Sequence, residues 1–151
     1  MSQYGQGGAP PLVGLQLTRR RTVTLFVDGN LAVANDVAEY IAPRAGRVLG
    51  VSIGLRSIGA VSGSTSVDVK LSKSGGAFAT ILGAVLSIAF GAASKSVASG
   101  ANDGGGMSGA VGEPNGVPFG DGDVLRVDVT AIPGTTSAGL AVYLEIAETD
   151  F

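Results

Sequence analysis

Between residues 124 and 129 the chain alternates: Leu125, Val127 and Val129 are apolar, while Arg126 and Asp128 between them carry charge. A period of two sends successive side chains to opposite faces, so the stretch predicts a half-buried strand. The cluster Pro133, Gly134, Thr135, Thr136 and Ser137 breaks the pattern, and Leu140, Val142, Leu144 and Ile146 then resume it against Ala141, Tyr143, Glu145 and Ala147. The two runs predict a hairpin, its second strand returning antiparallel, with one greasy face and one wet face. Such a pair needs a cover, which a helix or a second sheet must supply.

The upstream pattern answers with strands. Val23, Leu25 and Val27 alternate with Thr22, Thr24 and Phe26, and Asp28, Gly29 and Asn30 then read as a turn. Val37, Tyr40 and Ile41 precede a corner at residues 43–46, after which Val48, Leu49, Val51, Ile53 and Leu55 run beside Gly50, Ser52 and Gly54. Small residues on that second face imply a close neighbour, whether strand or subunit. Val67, Val69 and Leu71 point inward against Asp68, Lys70 and Ser72, and Ser74, Gly75 and Gly76 close that run. Residues 77–93 are harder, because Lys73 and Lys95 bracket 21 uncharged residues, about the length of a membrane span. Gly83 and Gly91 and the strand-rich surroundings argue against a span. A buried helix keeps Ile81, Val85 and Ile88 on one face, but Leu82, Ala84, Leu86, Ile88 and Phe90 keep a period of two, which favours two short strands broken near Gly83. Residues 94–118 read as a long irregular loop, of a length usually reserved for binding or for packing on a partner. About seven or eight short strands result.

Composition agrees with this reading. Glycine supplies 25 of 151 residues, more than twice its usual share of about 7%, as many tight turns require. The length suits one domain with one core. Residues 1–14 carry Gly5, Gly7, Gly8, Gly14, Pro10 and Pro11 and cannot hold a core, so they predict an extended N-terminal arm held by another surface, before a single domain at residues 15–151. The opening residues lack the basic-then-apolar order of a signal peptide, which predicts synthesis in the cytoplasm without export by that route.

The chemistry on offer is narrow. With no histidine and no cysteine, zinc sites, Ser/His/Asp triads and Cys/His nucleophiles are excluded. Asn102, Asp103, Glu113, Asp121 and Asp123 offer oxygens to calcium but lack the spacing of a known loop, and they read as turn formers. A glycosidase needs two acids at one cleft; the close pairs, Asp121 with Asp123 and Glu145 with Glu148, fall at turns or on wet strand faces. Residues 104–106 are glycines without a P-loop lysine. The reading is therefore of a non-enzyme with no cofactor, no metal and no small-molecule substrate. A net charge of -2 gives no footprint for nucleic acid or for an anionic membrane. Arg19, Arg20 and Arg21, entering the first strand, read as an edge that resists aggregation or as salt-bridge donors to a neighbour. The partner-binding candidates are accordingly the arm and its root: Tyr4, Pro10, Pro11, Leu12, Val13, Leu15, Arg19, Arg20 and Arg21.

The succession APRAGRVLGVSIGL, STSVDVKLSKSG, a small-residue apolar middle, VPFGDGDVLRVDV and AGLAVYLEI, across residues 40–146, resembles small β-sandwich proteins of tailed-bacteriophage particles. These are decoration (cement) proteins, head fibres and collar or tail-fibre modules. The resemblance implies an all-β, antiparallel, jelly-roll-like β-sandwich that associates, often as a homotrimer, and binds the virion shell. It transfers no active site. On that basis the expected partner is the major capsid protein and the expected location is the outer capsid surface of a virion. The alternative is a tail or head-fibre module that binds a host-surface glycan or another tail protein.

Overall fold

The computed structural model describes residues 17–59, 62–90, 97–101 and 116–150. These residues form ten strands: β1 (Leu17–Asn30), β2 (Ala34–Ile41), β3 (Gly46–Ser57), β4 (Ser64–Ser72), β5 (Ala79–Thr80), β6 (Leu86–Ala89), β7 (Val97–Ala101), β8 (Val117–Phe119), β9 (Val124–Ala131) and β10 (Ala138–Asp150). No helix among the described residues is long and apolar enough to cross a membrane. All pairings are antiparallel. The expected arm, with Tyr4, Pro10, Pro11, Leu12, Val13 and Leu15, lies outside the described residues.

Two sheets face each other. Sheet A runs β1-β10-β3, with β7 and β8 both on the far edge of β3; sheet B runs β2-β9-β4, with β5 and β6 both on the far edge of β4. The pairing is nested. β1 pairs with β10, β2 with β9, β3 with β7 and β8, and β4 with β5 and β6, so the chain is one long hairpin rolled across two sheets.

Inward rows make the core. Val51, Ile53 and Leu55 of β3 and Leu140, Val142, Leu144 and Ile146 of β10 meet Val67 and Val69 of β4 and Leu125, Val127 and Val129 of β9, all buried. Each contributes roughly 1.5–3 kcal/mol over leaving it in water, which is what holds the sheets together. Leu86 and Ile88 of β6 complete that layer.

The alternation places side chains correctly but misleads about partners. β9 and β10 are strands, yet they do not pair with each other: β9 lies between β2 and β4, and β10 between β1 and β3. The breaker cluster is a crossover between sheets, tied down by Leu31 N–H to Ser137 O at 2.9 Å and Gly134 N–H to Ser62 O at 2.9 Å. A period of two records which face is greasy and is silent on which strand lies alongside.

Local corrections follow the same logic. Residues 94–118 are not wholly irregular, since β7 pairs with residues 50–54 of β3 and the segment ends inside β8. Pro118 is tolerated there because β8 is a short edge strand that can forgo one donor. Leu49 is not part of the inward row: a bulge opposite Glu145 and Ile146 shifts the phase, so that Val48 and Val51 are both buried and Leu49 is only half-buried. Asp28, Gly29 and Asn30 end β1 at a bulge instead of forming the turn, which comes at residues 31–33. Between Lys73 and residue 90 the two short strands replace any helix, with the break at Gly83 and Ala84.

Candidate functional site

Among the described residues, the outer face of sheet A is open. Residues directly opposite in an antiparallel pair share a face, so Phe26, Ala141 and Gly54 form one row, Thr24, Tyr143 and Ser52 the next, and Thr22, Glu145 and Gly50 a third. The floor is made of small side chains. Phe26 and Tyr143 rise from it, 51% and 38% exposed. Between them lies a depression of about 360 Å³ that Arg56 and Gly139 close at one end. The Arg56 guanidinium sits 5.6 Å from the Phe26 ring centre and 3.7 Å from Asp28 Oδ1. Gly139 is required: its φ is +68° and a Cβ there would lie 2.7 Å from Arg56 Cβ. A small-floored face with two exposed rings suits association.

The three arginines at the start of β1 divide by strand parity. Arg21 shares the inward parity of Val23 and Leu25, and its Nε and Nη2 donate to the two Glu148 oxygens at 2.9 and 3.2 Å. Nη2 also donates to Tyr40 Oη at 2.8 Å, so Arg21 ties β1 and β10 of sheet A to β2 of sheet B. The bond to Glu148 holds the Arg21 pKa above its ordinary value, and burial pushes the Tyr40 hydroxyl up. Arg21 is thus committed within its own chain. Arg19 and Arg20 stand opposite Glu148 and Ala147 and are exposed.

The acid pairs come apart. Asp121 is exposed, whereas Asp123 is buried and accepts N–H bonds from Gly120 at 2.7 Å and Ser74 at 2.9 Å. These two bonds, the Gly120 one first, hold its pKa below the usual carboxylate range. Glu145 lies on the outer face of sheet A, while Glu148 is buried against Arg21. Neither pair shares a cleft, and the buried member of each is occupied by a fixed donor. Asn102, Asp103 and Glu113 lie outside the described residues; among the described ones no group of three or more acids could hold a metal ion.

The outer face of sheet B, expected to be wet, is partly covered. Asp68 opposes Asp128 and Lys70 opposes Arg126 across the β4–β9 pairing. Asp128 is fully buried, with Lys70 Nζ at 3.1 Å and the Asp36 N–H donating at 2.8 Å. Arg126 Nη2 donates to it at 3.0 Å; Arg126 Nε lies at 2.9 Å but makes no hydrogen bond. Burial pushes the Asp128 carboxyl up, but the Asp36, Arg126 and Lys70 contacts outweigh it, and the pKa falls below the ordinary value. Phe78 covers Arg126 at 4.2 Å from its ring centre, and Thr80 donates to Asp68. Each charge has its neighbour, which marks the lattice as structural.

Sequence reasoning did not single out Phe26, Arg56 or Tyr143. Their signal was present, since Phe26 and Tyr143 are large rings at the outward parity of their strands.

No protein-family model matches the chain, and no curated protein sequence matches it. Among solved structures, the chain is similar to one in the cyanophage Pam1 capsid asymmetric unit, with a TM-score of 0.46 and 16% identity over 89% of this chain and 85% of that one. It is also similar to a chain in the capsid of Ralstonia phage GP4, with a TM-score of 0.48 and 15% identity over 99% of this chain and 97% of that one. Likeness at this level carries no residue roles across.

Proposed function

We propose that this chain is a non-enzymatic structural protein of a tailed-phage virion, a decoration (cement) protein that binds the assembled major-capsid shell on its outer surface. The observation that carries the reading is the outer face of sheet A, where Phe26 and Tyr143 rise exposed from a small-residue floor. The nested pairing supports the jelly-roll-like winding that the sequence resemblance implies. In this reading residues 1–14 are an arm and residues 15–151 the sandwich. Tyr4, Pro10, Pro11, Leu12 and Val13 of the arm, with Leu15 just after it, contact partner subunits, and Arg19 and Arg20 flank its root.

Stabilisation works by mass action. A partner that binds the assembled shell and not its dissociated subunits lowers the free energy of the shell, by about 2.7 kcal/mol per site at a hundredfold excess over its dissociation constant. The test is co-sedimentation with empty shells that lack the protein, followed by their melting temperature. Binding with a raised melting temperature supports the proposal; a folded protein left in the supernatant overturns it.

A second reading, a fibre module that binds a host-surface glycan, is favoured by Tyr143 standing beside Thr24, Ser52 and Glu145, since sugars stack on rings set among polar groups. A glycan array read with the full chain tests it. No binder on the array removes that reading.

A further inference from the structure

We propose that Arg56, on the outer face of sheet A, is the anchor for a carboxylate side chain of the shell protein, and that Asp28 is the internal competitor which this carboxylate displaces. The proposal rests on the reading of the chain as a shell-binding protein and names what that face recognises.

Arg56 is held more loosely than the cations that tie the fold together. Arg21, Lys70 and Arg126 have a carboxylate oxygen at 2.9, 3.1 and 2.9 Å. Arg56 Nη2 stands 3.7 Å from Asp28 Oδ1, beyond hydrogen-bond range, and the two side chains are 71% and 84% exposed. An exposed pair at that distance contributes little, so one carboxylate is readily exchanged for another. The guanidinium is nonetheless placed in advance. Its central carbon lies 5.6 Å from the Phe26 ring centre, and Gly139, which has no side chain to collide with it, leaves the strip of β10 that Arg56 crosses. A planar fork so placed can donate two parallel bonds to a single carboxylate.

Shape and charge select the occupant. The depression beside Arg56 holds about 360 Å³ between Phe26 and Tyr143, over Gly54 and Ala141. That is near the lower limit of sites for compact ligands, about 300–1,000 Å³, and suits one apolar side chain. A shell-protein loop with an acid beside an apolar residue meets both features. Polyanions do not. Among the described residues, Asp28 beside Arg56 and the exposed Glu145 beyond Tyr143 set two negative charges on this face against one positive, which repels nucleic acid or an anionic lipid surface but admits a lone carboxylate. Docking would then exclude water from the fork, and an arginine and aromatic rings at the centre of a contact are the side chains that carry most of its binding energy.

The test measures binding of the full-length chain to empty shells that lack it, at low and at moderate salt. Arg56→Gln should raise the dissociation constant about tenfold or more, and Arg56→Lys should restore little of the loss, because an ammonium lacks the planar fork. Asp28→Asn should lower the dissociation constant about threefold at low salt, a gain that salt screens and that shrinks when Arg56→Gln is added. Both side chains are exposed, and melting curves verify that the variants stay folded. A merely structural pair would not bind more tightly once Asp28 is neutralised. Weaker binding by Asp28→Asn puts a cation of the partner on this face and overturns the proposal. Unchanged binding by Arg56→Gln also overturns it, and leaves the cement reading intact. A wild type that ignores shells overturns both readings, and a glycan-array signal that Arg56→Gln abolishes would then assign the face to a sugar acid.

Discussion

Replacing Asp128 with asparagine removes a charge from a side chain that is fully buried, while keeping its shape and one acceptor for the Asp36 N–H. Lys70 and Arg126, at 3.1 and 2.9 Å, then lose their shared counter-charge. Breaking a wholly buried ion pair costs about 3–5 kcal/mol, but these two side chains remain 28% and 18% exposed, and water compensates them in part. Relief of the repulsion between Asp68 and Asp128, directly opposite each other, subtracts further. The expected loss is about 2–3 kcal/mol, which for a chain of this length lowers the melting temperature by roughly 5–10 °C. The folded pKa of Asp128 lies below its unfolded value, so its stabilisation is complete above the ordinary aspartate range and fades as pH falls through the folded pKa. The gap between wild type and variant should thus hold at pH 7 and close below about pH 4. Urea unfolding at both pH values, read as a midpoint shift with unchanged slope, measures it. A shift below about 0.5 kcal/mol at pH 7 would refute the reasoning, because it would mean that Asp68 takes over both cations.

Three further predictions concern turns and surface. Asp123→Ala removes the acceptor for the N–H groups of Gly120 and Ser74, which water reaches in part, and should cost about 1–2 kcal/mol at pH 7, with the deficit shrinking in acid; equilibrium unfolding checks this. Gly59→Ala sets a Cβ 1.7 Å from the Thr135 carbonyl oxygen, a backbone atom in the β9–β10 crossover, so soluble yield and melting temperature should both fall. Phe26→Ser should leave stability within about 0.5 kcal/mol of wild type, and a larger loss in unfolding experiments would place that ring in the core.

Strand identity was legible wherever one face is buried by apolar side chains, as in β4, β9 and β10. What escaped was information held by remote partners. β7 carries Val97, Ala98, Ser99, Gly100 and Ala101, with no apolar alternation; it is a strand because the edge of β3 offers hydrogen bonds beside Gly50, Ser52 and Gly54. Asp128 reads as a wet-face acid until Lys70, from a different strand, is found against it. Leu49 reads as core because a bulge is a property of two strands and only one of them is visible locally. For the candidate face, outward parity marked Phe26 and Tyr143, but placing them on adjacent strands required knowing that β10 leaves β9 for β1.

The nested pairing also dictates an order of events during folding. Leu71 and Ala79 pair across a short connection, whereas Asn30 and Ala138, far apart along the chain, must meet to begin β1–β10. If the inner pairs close first, the outer pair has only residues 31–33 and 132–137 left to bridge, which reduces the loop from over a hundred residues to about ten and spares about 2 kcal/mol of closure entropy. The chain should therefore zip outward from β4, and substitutions there should slow folding while those in β1 and β10 mainly hasten unfolding.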